Sequence, residues 1–129
     1  MTALQYRLLA VTWTILLLIG LTVPVPSPPS VDAGIGTDKI VHFVMFFGFG
    51  LLWMHGLHRR RPARTKRTSL DRALVLLAVG LALAGLTEWI QTFLPHRSGD
   101  WGDVLANALG LVSAITYFGI RHPPSTWSP

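Results

Sequence analysis

Four apolar stretches divide the chain, at residues 8–23, 40–57, 73–94 and 104–120. Each approaches the length of a membrane-crossing helix; at the helical rise of 1.5 Å per residue the second alone covers about 27 Å. The first run, Leu8 to Val23, carries only Thr12, Thr14 and Thr22 as polar breaks. Preceded by Arg7, it has the outline of a signal peptide, but Pro24-Val-Pro-Ser-Pro-Pro follows in place of a small-x-small cleavage site. It reads as a retained first span with a stiff, polyproline-like exit. Asp38-Lys39-Ile40-Val41-His42 opens the second span, which is rich in Phe and loosened by Gly48 and Gly50. A basic loop from His58 to Arg72, broken at Pro62, leads to the third span, and Pro95 stops that one. The fourth begins at Val104, flanked by Trp101 and Tyr117 as interfacial anchors. The pattern predicts an all-α fold, an integral membrane bundle of four transmembrane helices. It forms a single domain over residues 1–129, with a Pro-rich tail from Arg121 left outside the bundle.

Composition sharpens this. Half of the residues are hydrophobic and 13% are charged, about half the share usual for a soluble domain. There is no cysteine, which removes disulfides, thiolate metal ligands and a Cys nucleophile. The net charge of +5 does not mark a nucleic-acid surface, because Arg59, Arg60, Arg61, Arg64, Lys66, Arg67 and Arg72 crowd into one loop. Such a block between spans reports orientation. It places that loop and both termini in the cytoplasm, and the segments 24–38 and 95–103 outside.

Orientation then decides where the scarce polar residues meet. Asp38, Lys39 and His42 fall at the outer start of span two, and Glu88 and Gln91 one to two turns below the outer end of span three. Asp103 and Asn107 occupy the first turns of span four, with Arg97 and Asp100 in the turn between. Three separate segments deliver polar groups to one depth on one side. Asp38 and His42 are i, i+4; Glu88 and Gln91 are i, i+3, a stripe continued by Gly85 and Ala84; both spacings share a helix face. Ala106-x-x-x-Gly110-x-x-x-Ala114 lies on the face of Asp103 and Asn107. Small residues of this kind let membrane helices approach closely, so spans three and four are expected to form the tight pair.

Several of these residues have plainer readings. Asp38 and Asp103 are equally legible as helix caps, Lys39 as a cation snorkelling to lipid phosphates, and Asn107 as a helix–helix clamp. Histidines 55, 58, 96 and 122 fall at span ends or in loops and call for no special role. His42 and Glu88 sit away from helix ends, where capping would not satisfy them, and burying them is costly.

The arrangement resembles the VanZ-like family of small membrane proteins. Asp38-Lys39-x-x-His42 is similar to the family's opening of its second span. Glu88-x-x-Gln91-x-x-x-Pro95-x-Arg97, then Asp100-x-x-Asp103-Val104-x-Ala106-Asn107-x-x-Gly110, is the sharper match. The resemblance runs from Asp38 through Gly110, and the first span and tail carry no diagnostic residues. One departure is His96, where the pattern commonly has Gly before the Arg. The resemblance implies a multi-pass protein of the bacterial cytoplasmic membrane, in a family associated with resistance to the glycopeptide teicoplanin. It implies no established biochemical activity.

Three functions fit these residues. In the first, the outer cluster of Asp38, Lys39, Gln91, Arg97, Asp100, Asp103 and Asn107 binds a lipid head group, a lipid-linked cell-wall precursor or a lipophilic antibiotic, without catalysis and without a cofactor. In the second, His42 and Glu88 form a general acid/base pair acting on a lipid-linked or phosphate-bearing substrate, with Arg97 stabilising negative charge. A metal variant with His42, Glu88 and Asp103 as ligands ranks lower, because no tight metal motif is present. In the third, the cluster is a structural clasp. Binding ranks first, and the sequence leaves the oligomeric state open.

Overall fold

The computed structural model describes residues 1–23, 36–60, 66–94 and 100–123. Four helices carry them: α1 (Ala3–Thr22), α2 (Gly36–Arg60), α3 (Lys66–Gln91) and α4 (Trp101–Arg121). All four are long and apolar enough to cross a membrane, and no strand occurs among the described residues. Pro24 to Ile35, Arg97 and the tail from Pro124 lie outside the described residues, and with them the polyproline exit, the outer arginine and the Pro-rich tail expected from sequence.

Helix ends follow local chemistry more closely than the apolar runs do. Thr2 and Gln5 form a reciprocal capping box that starts α1 well before Leu8. The second helix takes in Asp38 and Lys39 as its first turn and runs to Arg60, and α3 already begins at Lys66. The basic segment is therefore partly helical, where the sequence predicted a loop to Arg72. Helix α3 ends at Gln91, three residues short of the predicted Leu94. Thr92, Phe93 and Leu94 tighten into i→i−3 bonds, with Leu94 N–H donating to the Gln91 carbonyl at 3.0 Å.

Neighbouring helices run antiparallel. The start of α1 meets the end of α2, where the Tyr6 and His55 rings stack at 4.9 Å, and Trp13 Nε1–H donates to the Met45 carbonyl at 2.8 Å. Gly48 makes room for that indole: a Cβ there would stand 2.6 Å from the Trp13 ring.

The dominant seam corrects the expectation from sequence. The small residues of α4 face α2, not chiefly α3, and the two helices run parallel. His42 lies beside Asn107, Gly50 beside Ala114 and His55 beside Phe118. A Cβ at Gly110 would collide with the Phe43 carbonyl oxygen, and one at Gly50 would lie 2.7 Å from the Ala114 methyl. The stripe of small residues was legible, but spacing within one helix does not name the partner. Helix α3 touches α4 more locally, with Leu111 seated over Gly80. Gly85, expected on the polar stripe of α3, is exposed with nothing within 4 Å of its notional Cβ. Phe46, Phe49, Leu76, Leu111 and Phe118 fill the space between α2, α3 and α4, and Leu17 and Leu21 extend this core to α1.

Gly110→Ala forces a methyl into backbone that cannot swing away, so it is expected to destabilise the bundle by about 1–3 kcal/mol. Gly85→Ala meets open space and, by helix propensity, is expected to be neutral or stabilising by up to about 1 kcal/mol. Unfolding titrations in mixed micelles compare the two.

Candidate functional site

One end of the α2–α4 seam collects most of the polar chemistry predicted from sequence. Asp100 caps α4: its carboxylate accepts from the Gly102 N–H at 2.8 Å. Asp103, in the first turn, is not the cap. Its carboxylate is 6% exposed and points across to α2. Lys39 reaches both, with its ammonium 2.6 Å from Asp100 Oδ2 and 3.3 Å from Asp103 Oδ1. The lysine read from sequence as snorkelling to lipid is therefore held by carboxylates, because two anions fixed at a helix start outcompete a mobile phosphate.

His42 is completely buried. Its Nδ1 lies 3.1 Å from Asn107 Oδ1. A carbonyl oxygen can only accept, so Nδ1 is the donor in this bond, and in the neutral ring Nε2 then carries the lone pair. Nε2 faces two carboxylates, Asp38 Oδ1 at 3.9 Å and Asp103 Oδ2 at 3.8 Å. Neither is a hydrogen-bond distance. The Asp103 carboxylate is thus divided, one oxygen toward Lys39 and the other toward His42. Asp38 holds the open side, 62% exposed.

The two residues of α3 separate. The Glu88 Oε1 accepts the backbone N–H of Asp100, tying the end of α3 to the start of α4. Its Oε2 is buried without a partner. Gln91 is buried and turns away from the cluster, donating to the Leu21 carbonyl of α1 at 2.5 Å. No hydrogen bond or ion pair joins His42 to Glu88 among the described residues, so the acid/base pair drawn from sequence is not formed as a contact. The i, i+3 spacing put Glu88 and Gln91 on neighbouring positions of one helix but could not separate a tether from a clamp.

Four carboxylates, Asp38, Glu88, Asp100 and Asp103, stand against one ammonium, Lys39, among the described residues of this end. Among the described residues, the three buried side-chain atoms left without a partner, His42 Nε2, Glu88 Oε2 and Asn107 Nδ2, all belong to it. Trp89, Phe93 and Trp101 are strongly exposed at the same end, as aromatic side chains are where a bundle meets the membrane–water interface. A groove of about 460 Å³ lies elsewhere, lined by Phe49, Trp53, Val75, Val79, Leu83 and Leu86. It carries no ionisable group, so its size does not make it the chemical site.

The family model VanZ/LLP1 matches residues 4–122. The chain belongs to the VanZ family. The match takes in α1 as well as the 38–110 stretch that carries the resemblance. The chain is also similar to "Uncharacterized protein C11E3.10" of Schizosaccharomyces pombe (strain 972 / ATCC 24843), 36% identical over 81 residues. That alignment covers 60% of this chain and 44% of the relative, so the chain spans less than half of the relative's length. No solved structure matches. This VanZ-family chain is thus a multi-pass protein, helical among the described residues, with its buried unpartnered polar atoms gathered at one end of the α2–α4 seam.

The ammonium of Lys39 and the N–H of Gly102 hold the Asp100 carboxyl below its ordinary value of 3.8. The folded protein therefore binds fewer protons at this site than the unfolded chain. The contribution to stability is present above the ordinary carboxylate range and is lost as pH falls through the lowered pKa. Wild type is expected to exceed Asp100→Asn in stability at neutral pH. Unfolding midpoints followed down to strongly acidic pH should show that gap closing.

Proposed function

We propose that this VanZ-family protein is a binding protein of the bacterial cell envelope. Its polar end faces the outer leaflet of the cytoplasmic membrane and receives a head group, lipid-linked precursor or lipophilic antibiotic, with consequences for glycopeptide (teicoplanin) susceptibility. One observation carries the reading: three buried polar atoms stand open at a single end of an otherwise apolar bundle. A buried polar group without a partner costs about 1–3 kcal/mol. A clasp evolved only to hold helices together has no use for several such groups side by side, whereas a ligand site needs them. Asp38 and Asp100, both exposed, give the cluster a way in. The outward orientation rests on the basic residues that cluster where α2 leads into α3. The contact between His42 and Asn107, and the use of Glu88 Oε1 as a tether, favour binding over the acid/base enzyme.

The test compares hosts expressing wild type, Asp103→Asn and Gly85→Ala at matched membrane levels. Wild type and Gly85→Ala should raise teicoplanin tolerance, and Asp103→Asn should return it to the level of the empty host. Full tolerance with Asp103→Asn correctly inserted would sink the reading.

A further inference from the structure

The acidic excess of this site sits badly with a phosphate or carboxylate ligand unless a second cation is present. We propose that Asp38, His42 and Asp103 hold a divalent borderline metal ion, of the zinc or manganese type, at the mouth of the α2–α4 seam. The proposal rests on the binding role and names what would receive the ligand's anionic group.

The observations come from three sides. One donor atom from each of the three residues lies within 4.8 Å of the other two. With bonds of roughly 2.1 Å, donors around zinc stand about 3.4 Å apart in a tetrahedral shell. The His42 Nε2 separations of 3.9 and 3.8 Å need only a small contraction. The 3.8 Å between the buried His42 and Asp103 is already within reach of two such bonds at a wide angle, and the exposed Asp38 side chain is free to close the other separation.

The histidine is also prepared for metal rather than for a carboxylate. Asn107 Oδ1 accepts from Nδ1 and so presents the lone pair of Nε2 to the cluster, the orienting role that a neighbouring carbonyl takes behind metal-bound histidines. In the neutral ring the Nε2 lone pair faces two carboxylate oxygens at 3.9 and 3.8 Å, too far for a hydrogen bond, an arrangement that a cation among the three relieves. His42 Nε2 is buried and unpartnered, which makes it the independent sign that something is missing. Asp103 divides in the same sense: Lys39 holds Oδ1, and Oδ2 is left for the metal.

The donor set selects the ion. One imidazole with two carboxylates suits zinc or manganese better than calcium or magnesium, which favour oxygen alone. Three protein ligands leave a position open toward solvent beside Asp38. A phosphate or carboxylate oxygen of the ligand would fill it, drawn by the ion and screened from the remaining acids.

The test uses the full chain, purified in detergent, stripped with chelator and titrated with zinc chloride alone. One zinc per chain is expected, with a rise in melting temperature. Asp38→Asn alters an exposed group and should leave helicity intact while weakening binding at least tenfold. Asp103→Asn should do the same, and Lys39→Met, which removes the competing ammonium, should tighten binding. A second histidine cluster stands at the opposite end of the bundle, with the His122 ring centroid 5.4 Å from that of His55 and 5.1 Å from that of His58. His122→Ala therefore serves as the control and should bind as wild type does. Absence of saturable binding overturns the proposal. So does affinity unchanged in Asp38→Asn and Asp103→Asn, or zinc lost only in His122→Ala. Because the titration contains no head group or antibiotic, its failure removes the metal alone. Failure of the tolerance assay with zinc still bound removes the binding role instead.

Discussion

The close approach of α2 and α4 is the constraint on which the rest of the molecule depends. Gly110 lies directly against the backbone of α2 at Phe43, and Gly50 lies against the Ala114 methyl, with only that small side chain and the tip of Leu111 at the contact. Apolar side chains gain little by leaving lipid for protein, so membrane helices are held by dispersion at short range and by polar contacts across the seam. Both operate here. The small residues bring the backbones together, and that proximity lets Asn107 reach His42 and Lys39 reach Asp100 and Asp103. Widening the seam by one methyl would part all of these contacts at once.

The charges at the end of the seam compensate one another only in part. Asp103, Asp38 and Asp100 each sit at or near a helix start, where free backbone N–H groups and the dipole favour an anion. Lys39 neutralises one of them. What remains is an acidic, partly enclosed cluster with a buried imidazole turned toward it. Trp89, Phe93 and Trp101 are exposed at the same end, the aromatic pattern typical of a membrane–water interface. Charge at such an interface is less costly than at mid-bilayer.

The two ends of the bundle are built differently. At the site end, carboxylates dominate and polar atoms are left open. At the other, His55, His58 and His122 gather around Phe118, with His122 stacked on that ring at 4.3 Å and Tyr6 covering His55 from α1. From sequence these histidines had no reason to be grouped. The signal was present but needed a partner and a register: His55 and His58 are i, i+3 on α2, and His122 ends a helix that only the fold shows to be packed against it. Between the two ends lies an apolar groove lined mainly by aromatic and aliphatic side chains of α2 and α3.

The sequence by itself determined what depends on local chemistry. Four apolar runs of membrane-spanning length require four helices, because only a helix satisfies its own backbone in hydrocarbon. The rarity of ionisable residues in those runs singled out Asp38, Lys39, His42, Glu88, Asp103 and Asn107, and the Asp-Lys-x-x-His and Asp-x-x-Asp spacings tied them to the VanZ family. Tertiary structure alone decided the partners. The small-residue stripe of α4 could have faced either neighbour, and it faces α2. Lys39 could have met lipid, and two carboxylates hold it. Glu88 and Gln91 share one stretch of helix yet serve different contacts, one to Asp100 and the other to Leu21. Spacing along a helix fixes which residues share a face. Which helix that face meets, and in which register, is a long-range choice made by packing.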